Sequence, residues 1–301
     1  MVNRMRRTVA VTATAGALAL GLAACGDGGG GQSEAGDGHL EELQDSGTIT
    51  VGIAGEEPYS FLDDSGEPTG ATIALHEAVF GEMGIDNVEA TVVDWNSLIP
   101  GLNAGRFDAV SAGMSILPDR CENGLFSDPE ISYTTALMVP EGNPEGLQTM
   151  QDMEGTDLTV AAMTAAIEQG YAEDTGIDLM TVDAPEDGLE AVVAGRADAF
   201  ALTGISLRAL AERNADAPVE VTDPFVAVVN GVEQVGAGAT VFAQGDEELR
   251  DAYNEAYHSV VGSADDFVSI TGEFGFTDAE FPPEDVTTEM LCNGDLPEVE
   301  G

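Results

Sequence analysis

Lysine is absent from the 301-residue chain, and histidine, cysteine and tryptophan are scarce, at three, three and one. All nine basic side chains are arginine, against 56 acidic ones, for a formal charge of −47. Phosphate binding needs a positive face, so nucleic acid is excluded as a natural partner. Such a surface repels itself in dilute buffer and is tolerated where salt screens it, which favours a salty habitat over a polyanionic function. The scattered histidines, His39, His76 and His258, and the lack of any CxxC or HxxxH spacing leave no expected metal site. No cofactor is expected. A 43% hydrophobic share still suffices for a packed core, so the chain is folded and not an acidic tail.

Residues 1–25 run from Arg4, Arg6 and Arg7 through the apolar segment 8–22 to Leu22-Ala23-Ala24-Cys25, the plan of a signal peptide. The apolar run is short for a membrane span. Leu-Ala-Ala-Cys resembles the bacterial lipobox, which implies lipidation of Cys25, a lipid anchor to the membrane and an extracytoplasmic location. Without the three leading arginines the charge would fall from −47 to −50. Residues 26–45 read as a flexible tether, Gly-, Asp- and Ser-rich at first, with folded structure starting near Leu40. In an oxidising space the remaining pair, Cys121 and Cys292, reads as one disulfide.

The body alternates strand-like and helical periods: residues 48–54 strand, 71–83 helix, 88–94 strand. This predicts an α/β fold with mostly parallel sheets. An internal echo, Ala104-Gly105-Arg106-Phe107-Asp108-Ala109 and Ala194-Gly195-Arg196-Ala197-Asp198-Ala199, predicts a helix stopped by glycine, a turn and an apolar strand in each of two similar lobes. The extended stretches 135–139 and 235–242 are the expected crossings, giving a first lobe of residues 46–136 and 238–301 and a second of 137–237. Two crossings make a hinge and a hinge makes a cleft, at which the strand ends of both lobes point.

Glu56-Glu57-Pro58-Tyr59, Trp95-Asn96-Ser97-Leu98-Ile99-Pro100-Gly101-Leu102, the AGRFDA block, Gly113-Met114-Ser115-Ile116, Arg120, Phe126-Ser127-Asp128-Pro129 and Gly236-Ala237-Gly238 together resemble the solute-binding proteins of polar amino acid ABC importers. The Ser97–Leu102 run and the Arg120-Cys121 pair are most similar to the ectoine/hydroxyectoine-binding branch. The resemblance implies a two-lobed, type II periplasmic-binding-protein-like fold, a monomer that closes on one solute and passes it to the permease subunits of the importer.

A zwitterionic solute such as ectoine or hydroxyectoine needs a counter-charge at each end once buried. Arg120 is the expected carboxylate partner, because its planar fork holds both oxygens, and a Cys121 disulfide would preorganise it. Amides at a helix start near Thr164 would add to the anion site, and Glu168, one turn on, is free to face a cation. Many relatives carry an aspartate where Thr203 ends its strand, to hold an α-ammonium. The neutral Thr203 favours a delocalised cation, taken by Glu56 and sandwiched between Tyr59 and Trp95. Gly113 and Ser115 complete the set, Ser115 standing where the branch implies an aromatic. The bland alternatives are an Arg120–Asp119 surface pair, a solvated Glu168, and core roles for Tyr59 and Trp95.

Three classes compete. A non-catalytic ectoine or hydroxyectoine receptor comes first, with a polar or cationic amino acid receptor as runner-up. A cyclic-carboxylate dehydratase on the same fold would need Glu56 or Glu168 as acid or base, and no nucleophile–base pair or phosphate loop supports it. A sensor ectodomain would continue into a membrane helix, which the sequence given does not.

Overall fold

The computed structural model describes residue 36 and residues 38–298. The signal-peptide and lipobox expectations, Cys25 included, lie outside the described residues. Among those residues no helix is long and apolar enough to cross a membrane.

The chain enters through helix α1 (His39–Ser46) and strand β1 (Thr48–Ile53), then passes a hairpin of β2 (Phe61–Leu62) and β3 (Pro68–Thr69) into α2 (Ala71–Glu82). Strand β4 (Asn87–Val92), helix α3 (Leu98–Asn103), strand β5 (Ala109–Ser115), helix α4 (Pro118–Cys121), and the short β6 (Leu125–Phe126) and β7 (Ile131–Tyr133) complete the first pass. The second lobe holds β8 (Thr135–Pro140), β9 (Thr159–Met163), α5 (Ile167–Thr175), β10 (Asp178–Val182), α6 (Pro185–Val193), β11 (Ala199–Thr203), α7 (Gly204–Arg213) and β12 (Val219–Val221). A hairpin of β13 (Val228–Val229) and β14 (Val232–Glu233) leads back to β15 (Gly236–Phe242), α8 (Glu247–Val260), α9 (Ala264–Thr271) and α10 (Thr288–Asn293) in the first lobe.

The first sheet has the order β4-β1-β5-β15-β6, with β7 also on β15, and the second β10-β9-β11-β8-β12. In each, three parallel strands are extended by an antiparallel one that arrives through the hinge, β15 on β5 and β8 on β11. This is the type II periplasmic-binding-protein architecture. Strand β5, Ala-Val-Ser-Ala-Gly-Met-Ser, lies between β1 and β15 and is buried at every position, as a strand covered on both faces is.

The echo has a physical cause. Asp108 and Asp198 each accept a hydrogen bond from an amide of the neighbouring strand, Thr50 of β1 and Thr159 of β9, both at 2.8 Å. Each also donates its own amide to that residue's carbonyl, again at 2.8 Å. Gly105 and Gly195, at φ 65° and 62°, make the left-handed turn that brings the aspartate there. One residue type thus solves the same problem, pinning a helix-to-strand connection to the adjacent parallel strand, in both lobes.

Two boundaries differ from expectation. The tether does not run to residue 45, because α1 packs on the first lobe with Leu43 in its core and His39 buried between two carboxylates. The apolar i, i+3 pair Leu40 and Leu43 supplies the face that docks. The crossings also fall slightly early, near 134 and 235. Thr135 and Ala136 pair with Thr203 and Leu202 in the second sheet, while Gly236 and Ala237 pair with Tyr133 and Ser132 in the first. Ladder partners, invisible in an extended run, decide where each lobe begins.

Candidate ligand-binding site

Glu56, Tyr59, Trp95, Gly113, Ser115, Arg120, Glu168 and Thr203 line one cavity of about 40 Å³ between the lobes, room for a few waters. The first lobe supplies the β1 exit, Trp95, the end of β5 and α4; the second supplies the α5 start and the end of β11. Beside it a wider cleft of about 450 Å³ opens between Ala54–Glu56 and Asp94–Asn96 on one side and Met163–Thr164 and Asp183–Glu186 on the other.

Arg120 is the cation lining the inner cavity. One nitrogen donates to the Ser115 carbonyl at 3.0 Å and the other to the Ala165 carbonyl of the opposite lobe at 2.8 Å. Its guanidinium carbon lies 5.8 Å from the centre of the Trp95 ring. Burial lowers its pKa, yet guanidinium stays charged. No ion pair ties Arg120 to Asp119, so the surface-pair alternative falls. The expected disulfide joins Cys121 on α4 to Cys292 on α10 across 171 residues, with the arginine one position away.

Glu168 faces Arg120 from α5. It is 1% exposed and neither carboxylate oxygen has a hydrogen-bond partner. Burial pushes its pKa up to about 7, helped by Glu56 and opposed by its backbone amide and Arg120. A buried carboxylate without a hydrogen-bond partner is costly. Its burial removes the solvated-face alternative.

Glu56 is less free than expected. Its Oε1 accepts from the Ser206 hydroxyl at 2.7 Å, Ser206 accepts from Thr203 at 2.9 Å, and Thr203 meets the Tyr59 hydroxyl at 3.0 Å. The chain zigzags between the lobes, and Thr203 acts as a neutral hydroxyl link within it. Burial raises the pKa of Glu56, with the Ser206 bond working against the shift.

Three expectations change. Trp95 and Tyr59 do not form an open sandwich: Arg120 sits by the Trp95 ring, and Tyr59 is 3% exposed, packed edge-on against Tyr133 and Phe276. Thr164 lies in the outer cleft, bonded to the Val182 carbonyl at 3.2 Å, because α5 starts three residues later, after Ala165 turns through φ 65°. The aromatic lacking at Ser115 is matched by Tyr133, which lines the cavity and donates to the Gly113 carbonyl. A Cβ at Gly113 would stand 2.7 Å from that hydroxyl and 2.9 Å from the Tyr59 ring. Gly113 is therefore there to admit two rings. The sequence reading missed both Tyr133 and Ser206; the alternating Ile131-Ser132-Tyr133 strand and the i, i+3 spacing of Thr203 and Ser206 on one helix start were the available signals.

Residues 49–263 match the model of the bacterial extracellular solute-binding proteins, family 3, and the chain belongs to that family. It is 34% identical over 261 residues, covering 84% of this chain and 86% of the relative, to a probable amino-acid ABC transporter periplasmic-binding protein, y4tE, of Sinorhizobium fredii. The crystal structure of EhuB in complex with hydroxyectoine matches with a TM-score of 0.75 and 30% identity over 85% of this chain and 98% of that one. AncCDT-1, an ancestral amino acid-binding protein described as a precursor of cyclohexadienyl dehydratase, matches with a TM-score of 0.65 and 27% identity over 77% and 98%. The molecule is a solute-binding protein of the amino-acid ABC importer family, which binds small solutes and delivers them to permeases.

Proposed function

We propose that the protein is a lipid-anchored, extracytoplasmic, non-catalytic receptor that closes on ectoine or hydroxyectoine and presents it to its ABC permease as a monomer. The observation that carries the ligand is the opposition, inside one cavity, of the Arg120 guanidinium and the unpartnered Glu168 carboxylate with the Tyr59, Trp95 and Tyr133 rings around them. A solute carboxylate takes the Arg120 donors now given to the Ala165 carbonyl, and its ring cation lies against Glu168. The likeness to the hydroxyectoine-bound EhuB supports this reading. Thr203 supports it too, since a hydroxyl cannot neutralise an α-ammonium.

A second reading has its own observation. Glu56 and Glu168 outnumber the one guanidinium in the cavity, and Asp94, Asp183 and Glu186 line the adjoining cleft. That balance suits an amino acid of net positive charge with a long cationic arm. Titration calorimetry with ectoine, hydroxyectoine and L-arginine separates the two: tight arginine binding with no ectoine signal rejects the first. Thr203→Asp weakens an ectoine-type solute and admits an α-amino acid, read by the same titrations. Recovery of the solute unchanged after long incubation tests the absence of turnover, and the mass of the mature amino terminus tests lipid on Cys25.

A further inference from the structure

Arginine is scarce enough that its placement is informative. Six arginines lie among the described residues, and three of them reach the opposite lobe: Arg120, and Arg208 and Arg213 on α7. Arg208 pairs with Glu280 at 3.0 Å, and Glu280 is itself fixed by the Thr277 amide and hydroxyl, each at 2.8 Å. Arg213 pairs with Glu57 of the first lobe at 3.0 Å while its other terminal nitrogen holds Glu186 of its own lobe at 3.4 Å. The same helix sends Ile205 into the first lobe's core cluster and the Ser206 hydroxyl to Glu56.

The ends of α7 stand differently to the hinge. Its first amide, Gly204, donates to the carbonyl of Thr134 in the crossing between the lobes, at 2.9 Å. Arg213 lies nine residues on, about 13 Å along the axis. A helix rooted on the hinge moves least at its root and most at its far end.

We propose that α7 is the closing latch of the molecule and that Arg213 is a positioning residue for solute binding: held ready by Glu186, it captures Glu57 as the cleft shuts. Glu57 stands between Glu56 and the Pro58-Tyr59 step, so its capture fixes the segment that carries two cavity side chains. Arg213 touches no solute. Its effect is on the closed fraction, and apparent affinity scales with that fraction. The inference rests on the reading of the cleft as a solute trap.

Arg213→Gln, Glu57→Gln, their double variant and Arg213→Lys test it, with hydroxyectoine as probe and L-arginine if the wild type ignores hydroxyectoine. A latch acts after encounter, so each Gln variant speeds dissociation about twofold to fivefold, the range open to a partly exposed ion pair, with little change in association rate. The double variant is no worse than the poorer single, the Lys variant keeps part of the effect, and thermal midpoints stay put. Dissociation rates equal to wild type, or singles that add independently, overturn the latch. Failure of the ligand assignment shows instead as a wild type silent to hydroxyectoine. Should neither probe bind, solution scattering decides: a larger radius of gyration in the solute-free Gln variants supports the latch, and an unchanged one rejects it.

Discussion

The two lobes are variations on one plan that diverge where they face each other. Asp108 and Asp198 make the same bonds to the neighbouring parallel strand, and Gly105 and Gly195 the same turn. Around this shared frame the first lobe is elaborated. Phe107 fills the space left by Gly52 and Gly101, where Ala197 leaves its counterpart plain, and Asp108 also receives His39 from α1. At the cleft the first lobe presents the guanidinium, the rings and a Glu56 carboxylate already bonded to Ser206, and the second the unpaired Glu168 carboxylate, Thr203 and the Ser206 hydroxyl. Duplicated architecture thus carries complementary chemistry, and a solute with two unlike ends is what such halves can share.

Removing the first lobe's cation should break this complementarity most. Arg120→Ala leaves Glu56 and Glu168 facing each other with no cation between them, and solute affinity falls by at least about 100-fold, in the range for truncating one partner of a buried charge pair. Far-ultraviolet circular dichroism and the melting curve remain close to wild type, because the side chain spans a cleft and not a core. Near-normal affinity by calorimetry removes Arg120 from the site.

The disulfide exists in the first lobe alone, so cutting it separates the lobes' stabilities. Replacing Cys121 and Cys292 with serine frees a loop of 171 residues and costs about 5 kcal/mol by chain entropy at most. Urea unfolding should then show the first lobe melting earlier, and affinity should drop because α4 and Arg120 are no longer anchored to α10. An unchanged midpoint denies the bridge a stabilising role.

How far the sequence could be read divides along the same line. The frame was legible, because helix stops, strand alternation and the aspartate echo are local and recur. Arg120 and the Cys121–Cys292 pair stood out through scarcity and compartment, and Glu168 through its place one turn into the helix expected after Thr164. Of the Ser206 relay only the i, i+3 spacing of Thr203 and Ser206 was legible; its links to Glu56 and Tyr59 cross between the lobes, and the Arg120–Trp95 contact joins two segments of the first lobe with no pattern in common. The alternation of Ile131-Ser132-Tyr133 marks a strand, but that the Tyr133 ring enters the cavity shows only against the bare backbone of Gly113. The place of Thr164 was misjudged because the left-handed turn at Ala165, which delays α5, occurs at a residue that rarely adopts it.

The second lobe's contribution is sharpened by pH. Glu168 is raised to about 7 in the empty site, and a solute cation against it would lower that value. The complex then holds fewer protons than the free protein, so affinity weakens as pH falls below about 7, by up to about tenfold per unit. Above pH 8 the dependence flattens. Glu168→Gln, measured by calorimetry from pH 5 to 9, loses the slope; a wild-type profile already flat across pH 7 places the cation elsewhere.

The smallest expected effect concerns the elaboration that the second lobe lacks. His39 lies 2.5 Å from Asp246 and 3.3 Å from Asp108; burial works against its charge, but the two carboxylates outweigh it and push the pKa up to about 9 from 6.5. A folded value above the unfolded one means the protonated ring stabilises the native state fully below about pH 6.5, and that contribution is lost as pH rises through about 9. Wild type and His39→Gln should therefore differ most near pH 6, by about 1 to 3 kcal/mol for a buried polar contact, and converge toward pH 9. Asp198 has no such partner, so the pH-dependent part belongs to first-lobe unfolding. Equal midpoints for the two proteins at pH 6 would mean that α1 is held by its apolar face, Leu40 and Leu43, and that Asp108, like Asp198, serves only its sheet.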